Sequence, residues 1–207
     1  MYLPIKCVWF QNLKFNITKD VFELSDDSFL FAENLNAKKG DEVLDLGTGC
    51  GILGILAAAM HVKNVLSVDI NPYAVNCAKQ NAILNHVRNN MNFLRSDLLS
   101  ALNNSALFDL IMFNAPYLPS EPHEIETWIG RAWAGGITGR DVVDLFIPQV
   151  SAHLKPFGRV LLLQSSLTGL DLTIQKFYDC GLSAKVKAER KLPFFESIHL
   201  IEARLIH

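Results

Sequence analysis

The chain is short of the features that mark several protein classes. Its four cysteines, Cys7, Cys50, Cys77 and Cys180, are scattered without a Cys-x-x-Cys pair. That argues against zinc and against a disulfide framework, and it favours a reducing compartment. The six histidines include no pair at i, i+4 spacing, so no metal ligand set is expected. Met1 to Phe10 lacks the apolar run of a signal peptide, and no run anywhere reaches the length of a membrane span. The expectation is a cytoplasmic protein with no membrane association. A charge excess is missing too: 19 Lys and Arg against 21 Asp and Glu leave a net charge of −2. No broad basic field is available for non-specific nucleic-acid binding. Internal repeats, low-complexity tracts and clear linkers are also absent. What is left is a chain of 207 residues, half of them hydrophobic. That suits one globular domain over 1–207 with a sizeable core, residues 1–24 forming a short N-terminal extension.

One stretch organises the rest: Val43-Leu44-Asp45-Leu46-Gly47-Thr48-Gly49-Cys50-Gly51-Ile52-Leu53-Gly54. The apolar run reads as a buried strand. The small and apolar residues from Ile52 to Met60 read as the start of a buried helix. Strand, glycine turn and helix together open an α/β nucleotide-binding fold. Two ligands compete for such a turn. Gly49, Gly51 and Gly54 spell the dinucleotide fingerprint, while Gly47, Gly49 and Gly51 spell the loop of S-adenosylmethionine (AdoMet) enzymes. Asp45, two residues before the first glycine, favours the second. A carboxylate there repels a pyrophosphate and suits a ligand carrying an ammonium and a sulfonium. The same acid could instead serve only as a buried cap of the turn.

In chain order, Ser25 to Ser28 offer N-cap chemistry for a helix over 26–36. Val65 to Asp69 read as a second strand. Asp69 at its end, about 20 residues past the glycines, can accept both hydroxyls of an adenosine ribose. Pro72 opens a helix from Tyr73 to about Asn85. Met91 to Arg95 form a third strand, after which Asp97 could face an adenine amino group. Phe108 to Phe113 form a fourth strand ending in Asn114-Ala115-Pro116-Tyr117. The stretch to Thr138 has few regular signals, and such long loops are usually functional or disordered. Trp128 and Trp133 argue against disorder. A helical spacing covers Arg140 to Leu154, with Pro148 expected to bend or break it. Gly158 to Leu163 read as the fifth strand and residues 170–180 as a helix. Leu182 to Glu189 and Ser197 to Leu205 read as antiparallel closing strands joined by Arg190 to Glu196. The resulting fold class is α/β: a mostly parallel seven-stranded sheet with helices on both faces and an antiparallel C-terminal strand. The glycine turn, Asp69, Asp97 and Asn114 all follow strands, where such sheets bind ligands.

The order of Asp45-Leu46-Gly47-Thr48-Gly49-Cys50-Gly51, Asp69-Ile70-Asn71-Pro72, Asp97 and Asn114-x-Pro116-Tyr117 resembles Rossmann-like AdoMet-dependent methyltransferases of the HemK type. Bacterial members carry a helical domain before the catalytic one, and this chain begins without one. Asp20 to Leu30 and Ala132 to Val142 resemble the archaeal and eukaryotic branch, and these two stretches are far more specific than a glycine loop. That branch methylates the glutamine amide of the Gly-Gly-Gln tripeptide in class 1 translation release factors. The resemblance implies AdoMet as cofactor and a small zinc-binding activator subunit as partner, with Met91 to Leu94 as the edge strand that would receive it. It implies that Gly47, Gly49 and Gly51 line the methionine part of AdoMet, with Asp45 and Ser28 at its amino end. Asp69 would hold the ribose, and Asp97 with Leu98 the adenine. Asn114, Ala115, Pro116 and Tyr117 would hold the substrate amide. Ala115 stands where the family has proline.

An amide nitrogen is a poor nucleophile because its lone pair is delocalised into the carbonyl. The Asn114 side-chain oxygen and the Ala115 carbonyl could each accept one of its N–H groups, with Tyr117 stacked on the amide. Positioning would then be the main source of rate. Glu121, His123, Glu124 and Glu126 could contact a basic protein substrate or form a solvated surface. Three other readings stay open. A nucleic-acid methyltransferase acting on adenine or guanine amines would show salt-sensitive RNA or DNA binding. A non-catalytic AdoMet-binding subunit has Ala115 as its support. An NAD oxidoreductase would be separated by a binding assay.

Overall fold

The computed structural model describes residues 6–193 and 196–206. The structure divides into two compact units, Met1–Ala101 and Leu102–His207. In the first, β1 (Lys6–Phe10) and β2 (Leu13–Ile17) form an antiparallel hairpin. Gln11 takes φ +53° in its two-residue turn, the left-handed backbone such turns use. β2 turns Leu13, Phe15 and Ile17 inward. The Asn81 side chain holds both the N–H and the C=O of Asn16 at 2.9 Å. The N-terminal extension is therefore fastened to the unit; residues 1–5 of it lie outside the described residues.

α1 spans Asp26–Glu33 and stops earlier than the expected 36. Asn34 ends it, its side-chain amide donating back to the Leu30 carbonyl at 2.9 Å. β3 (Glu42–Leu46), α2 (Ile52–Ala59), β4 (Asn64–Asp69), α3 (Pro72–Leu84) and β5 (Met91–Arg95) follow. β3 pairs parallel with β4, and β4 with β5. Val43, Leu44, Asp45 and Leu46 are buried consecutively, the pattern of a parallel strand covered on both faces. α2 is buried from Ile52 to Ala58, as expected for a helix apolar all round. Asn71 caps α3 by accepting the Tyr73 N–H at 2.9 Å, with Pro72 in the first turn.

The second unit carries β6 (Phe108–Asn114), α4 (Trp128–Trp133), α5 (Asp141–Val150), β7 (Leu154–Ser165), α6 (Leu170–Asp179), β8 (Leu182–Lys191) and β9 (Ser197–Leu205). β6 and β7 are parallel, while β9 runs antiparallel to both β7 and β8. α5 passes through Pro148 and ends two residues later, so the helix expected to reach Leu154 is shorter. Proline removes an intrahelical bond, the chain tightens to a 3-10 turn over Ser151–His153, and Leu154 already starts β7. Of the connection between β8 and β9, Phe194 and Phe195 lie outside the described residues. The stretch after Tyr117 is ordered rather than structureless. It contains a 3-10 turn at Pro122–Glu126, then α4, and Leu118 bridges Ala134.

The strand order is β5-β4-β3-β6-β7-β9-β8, the mostly parallel seven-stranded sheet expected, with β5 at one end. Among the described residues no helix is long and apolar enough to cross a membrane.

Candidate active site

In the first unit β3 delivers Asp45 into the glycine turn. The residue is 1% exposed. Oδ2 accepts the Thr48 hydroxyl at 2.5 Å and the Gly54 N–H at 3.1 Å. The acid therefore pins both sides of the turn. Gly54 lets α2 lie against the sheet, since a Cβ there would stand 2.7 Å from Asp45 Oδ2 and 2.8 Å from Ser67 Oγ. Gly51 takes φ +91°, and a Cβ would meet that of Ala78 at 3.0 Å. Glycine is required at this corner for both reasons.

Asp69 ends β4. Its Oδ2 accepts the Gly49 N–H and its Oδ1 the Asn71 N–H, each at 2.9 Å. A carboxylate has about four lone-pair sites, so both oxygens keep capacity for further donors such as two hydroxyls. Asn71 also donates to the Asp20 carbonyl at 2.7 Å, tying the segment before α1 to the end of β4. Sequence reasoning assigned no role to Thr48 or Asn71. Their only signals were the positions beside the glycines and before Pro72.

These bonds bear on the ligand. A dinucleotide needs the turn's amides free for its pyrophosphate. Here the Gly49 and Gly54 amides are given to carboxylates. Two acids beside one glycine turn disfavour an anion and favour a cationic ligand bearing a ribose.

Burial pushes the Asp45 carboxyl up to about 7, against the opposing hydrogen bonds from Thr48 and Gly54. Burial raises Asp69 as well, against the amides of Gly49 and Asn71. Between 3.8, the ordinary aspartate value, and about 7, the native chain holds a proton on Asp45 that the unfolded chain has released. The stability from this group is full below the lower value and is lost as pH rises through the upper one. Denaturant unfolding should therefore show the parent losing on the order of 2 kcal/mol more between pH 5 and pH 8 than Asp45→Asn does. Equal losses would contradict this.

Ser28 is buried in the first turn of α1, its hydroxyl donating to Asp27 Oδ1 at 3.0 Å. Asp97 is exposed and Leu98 half-buried. Leu98 takes φ +44°, a strained backbone for a branched side chain and a feature of functional loops. Ser96 places this pair beside Asp69, donating its N–H to the Asp69 carbonyl at 3.0 Å.

In the second unit Asn114 is the last residue of β6. Its side-chain oxygen is buried and has no hydrogen-bond partner. Such an orphaned acceptor is rare and calls for an explanation. Ala115 is 2% exposed. Beyond Tyr117 the chain is zipped to the segment after α4. Leu118 N–H donates to Trp133 O at 3.0 Å and Gly135 N–H to Leu118 O at 2.8 Å, while Ser120 N–H donates to Gly136 O at 2.9 Å. Glu121 and Glu124 form a capping box on the 3-10 turn, the Glu124 carboxylate accepting the Glu121 N–H at 2.7 Å.

A parallel α/β sheet whose first glycine turn is flanked by two acids, and whose fourth core strand ends in Asn-x-Pro-Tyr, defines an AdoMet-dependent methyltransferase. Known proteins narrow the class. Over 187 residues the chain is 42% identical to a relative from Methanocaldococcus jannaschii provisionally named a protein N5-glutamine methyltransferase, covering 90% of this chain and 93% of that one. The chain belongs to the HemK-type family of protein-glutamine methyltransferases. Human methyltransferase HEMK2 is 36% identical over 149 residues, 67% of this chain and 69% of HEMK2. Residues 28–115 also match the family model of ribosomal protein L11 methyltransferase (PrmA). Among solved structures, the Mtq2–Trm112 complex of E. cuniculi, described as responsible for methylation of the translation termination factor eRF1, shares the fold. Its TM-score is 0.71 at 23% identity, over 91% of this chain and 100% of that one.

Proposed function

We propose that this enzyme methylates the side-chain amide nitrogen of the glutamine in the Gly-Gly-Gln tripeptide of a class 1 translation release factor. The observation that carries this reading is the buried, unpartnered side-chain oxygen of Asn114. An acceptor kept dry and unsatisfied costs stability unless a ligand supplies the donor. A primary amide has two N–H groups to donate. Asn114 takes one and the Ala115 carbonyl the other, which fixes the nitrogen and favours its pyramidalisation. Tyr117 stacks on the amide plane. No separate base is needed before attack, because the nitrogen's protons become acidic only as the new bond forms.

AdoMet supplies, when bound, a methyl group on a positively charged sulfur. Asp69 would hold its ribose, and Asp97 with Leu98 its adenine. Gly47, Gly49 and Gly51 would line its methionine part, with Asp45 and Ser28 toward the amino end. Incubation of the chain with labelled AdoMet and, separately, purified release factor, RNA and DNA tests the reading. Label should enter the release factor. Label in RNA or DNA alone would overturn it.

A small zinc-binding activator subunit is part of the same proposal. β5 is an end strand with Asn92 and Arg95 exposed, and unpaired strand edges recruit other chains. Its solved neighbour from E. cuniculi is itself a complex of two proteins. A purified chain that is monodisperse and fully active alone would count against the partner.

Ala115 alters the acceptor turn only modestly. Its carbonyl remains, so the second acceptor is kept. Proline would restrict the unbound loop, an effect worth about 0.4–1 kcal/mol at a compatible site. Ala115→Pro should leave AdoMet affinity unchanged and raise turnover about fivefold or less. A parent with zero turnover that Ala115→Pro restores would instead make the natural chain a binding subunit.

A further inference from the structure

The stretch Ala132 to Val142 marks the chain's branch in sequence, yet nothing in the chemistry above uses it. Its geometry gives it a task. Gly139 takes φ +71°, and the space a Cβ would fill is occupied by the Tyr117 carbonyl at 2.3 Å and by Thr168 Cγ2 at 2.5 Å. The corner at 139 is thus packed directly on the backbone of the acceptor turn. The next residue locks that corner in place. Arg140 Nη1 donates to the Thr168 carbonyl at 2.5 Å, the Gly169 carbonyl at 3.1 Å and the Thr173 hydroxyl at 3.0 Å. Its Nη2 donates to Asp144 at 2.9 Å. Thr168 is held from below by Gln164, whose amide donates to its carbonyl at 3.0 Å and its hydroxyl at 2.8 Å. A continuous set of short contacts therefore runs from the end of β7, through Thr168 and Arg140, to Gly139 and the Tyr117 carbonyl.

We propose that Gly139 and Arg140 are positioning residues for methyl transfer. They set where Asn114 to Tyr117 hold the acceptor nitrogen, acting through the Tyr117 backbone and Thr168. The inference rests on the assignment of the amide to that turn. Guanidinium is required because one planar fork serves three acceptors and an acid at once, which an ammonium cannot reproduce. A bare α-carbon is required because the Tyr117 carbonyl fills the place of a side chain.

The test compares Gly139→Ala and Arg140→Lys with Gly181→Ala in the full-length chain. Gly181 has φ +79° with nothing within 4 Å of a built Cβ, so alanine there carries the same backbone strain without touching the turn. Three readouts are taken: AdoMet affinity by calorimetry, turnover and KM on release factor, and hydrogen exchange of the peptide spanning Phe113 to Ser120. Gly139→Ala should lower turnover at saturating substrate by about 10- to 100-fold, and Arg140→Lys by roughly tenfold, the scale of a small misplacement of reacting groups. Both should speed exchange in that peptide and keep AdoMet affinity within about twofold. Gly181→Ala should leave turnover and exchange at the parent values. If Gly139→Ala does not fold, Arg140→Lys decides alone. Unchanged exchange, or unchanged turnover with faster exchange, overturns the proposal. A parent that does not methylate Gly-Gly-Gln would strike the release-factor reading, and the exchange arm would still decide whether these residues hold the turn.

Discussion

Replacing Asn114 by alanine should cut methyl transfer by roughly two to three orders of magnitude while leaving the protein at least as stable. The two halves of this expectation have one cause. The Asn114 oxygen is buried without a donor, so the folded chain carries a desolvated acceptor that costs about 1–3 kcal/mol. Alanine removes that burden, and denaturant unfolding should show equal or greater stability. Turnover moves the other way. An amide nitrogen held by one acceptor is free to rotate out of line, and loss of one fixed polar group at a reacting centre lowers rates on the order of 10²–10³-fold. AdoMet affinity should not change. A variant that keeps its turnover would remove Asn114 from the chemistry. A variant that loses stability with its activity would make the residue a structural one.

Asp69→Ala should do the converse and act on cofactor binding first. Each Asp69 oxygen is aimed by a backbone N–H, from Gly49 and Asn71. Two hydrogen bonds from ribose hydroxyls to a charged acceptor are worth about 1–3 kcal/mol each. Calorimetry should show AdoMet binding weakened by roughly 10²–10³-fold. Part of the loss comes through the glycine turn, since the Gly49 N–H then has no acceptor in its present position. Undiminished affinity would take Asp69 out of the site.

The candidate residues differ in how far the sequence exposes them. Asp45, the glycines and Asp69 are legible because their chemistry is local: glycine permits a turn, and an acid at a strand's end is costly unless something needs it. The sheet was legible for a similar reason, since apolar runs bounded by turn residues mark buried strands. The β1–β2 hairpin has no turn signal in the sequence because Gln11-Asn12 contains no glycine, although the structure still bends Gln11 to φ +53°. The end of α5 was overrun because apolar spacing continues past Pro148 while the chain has already turned into β7. Arg140 was invisible as a brace because its partners Thr168, Gly169 and Thr173 lie 28, 29 and 33 residues further on. Leu118 likewise meets Ala134 only through the fold. Local chemistry shows in one sequence, whereas contacts closed over long loops do not.

The proposed methyl acceptor is the glutamine amide of a protein. Mass mapping of a release factor after incubation with the chain and AdoMet tests it most directly, with a Gly-Gly-Asn variant run beside the parent substrate. One added methyl is expected on the glutamine of Gly-Gly-Gln and none on the variant, whose shorter side chain leaves its amide short of Asn114. A methyl group found on another residue, or equal methylation of the Gly-Gly-Asn variant, would contradict it.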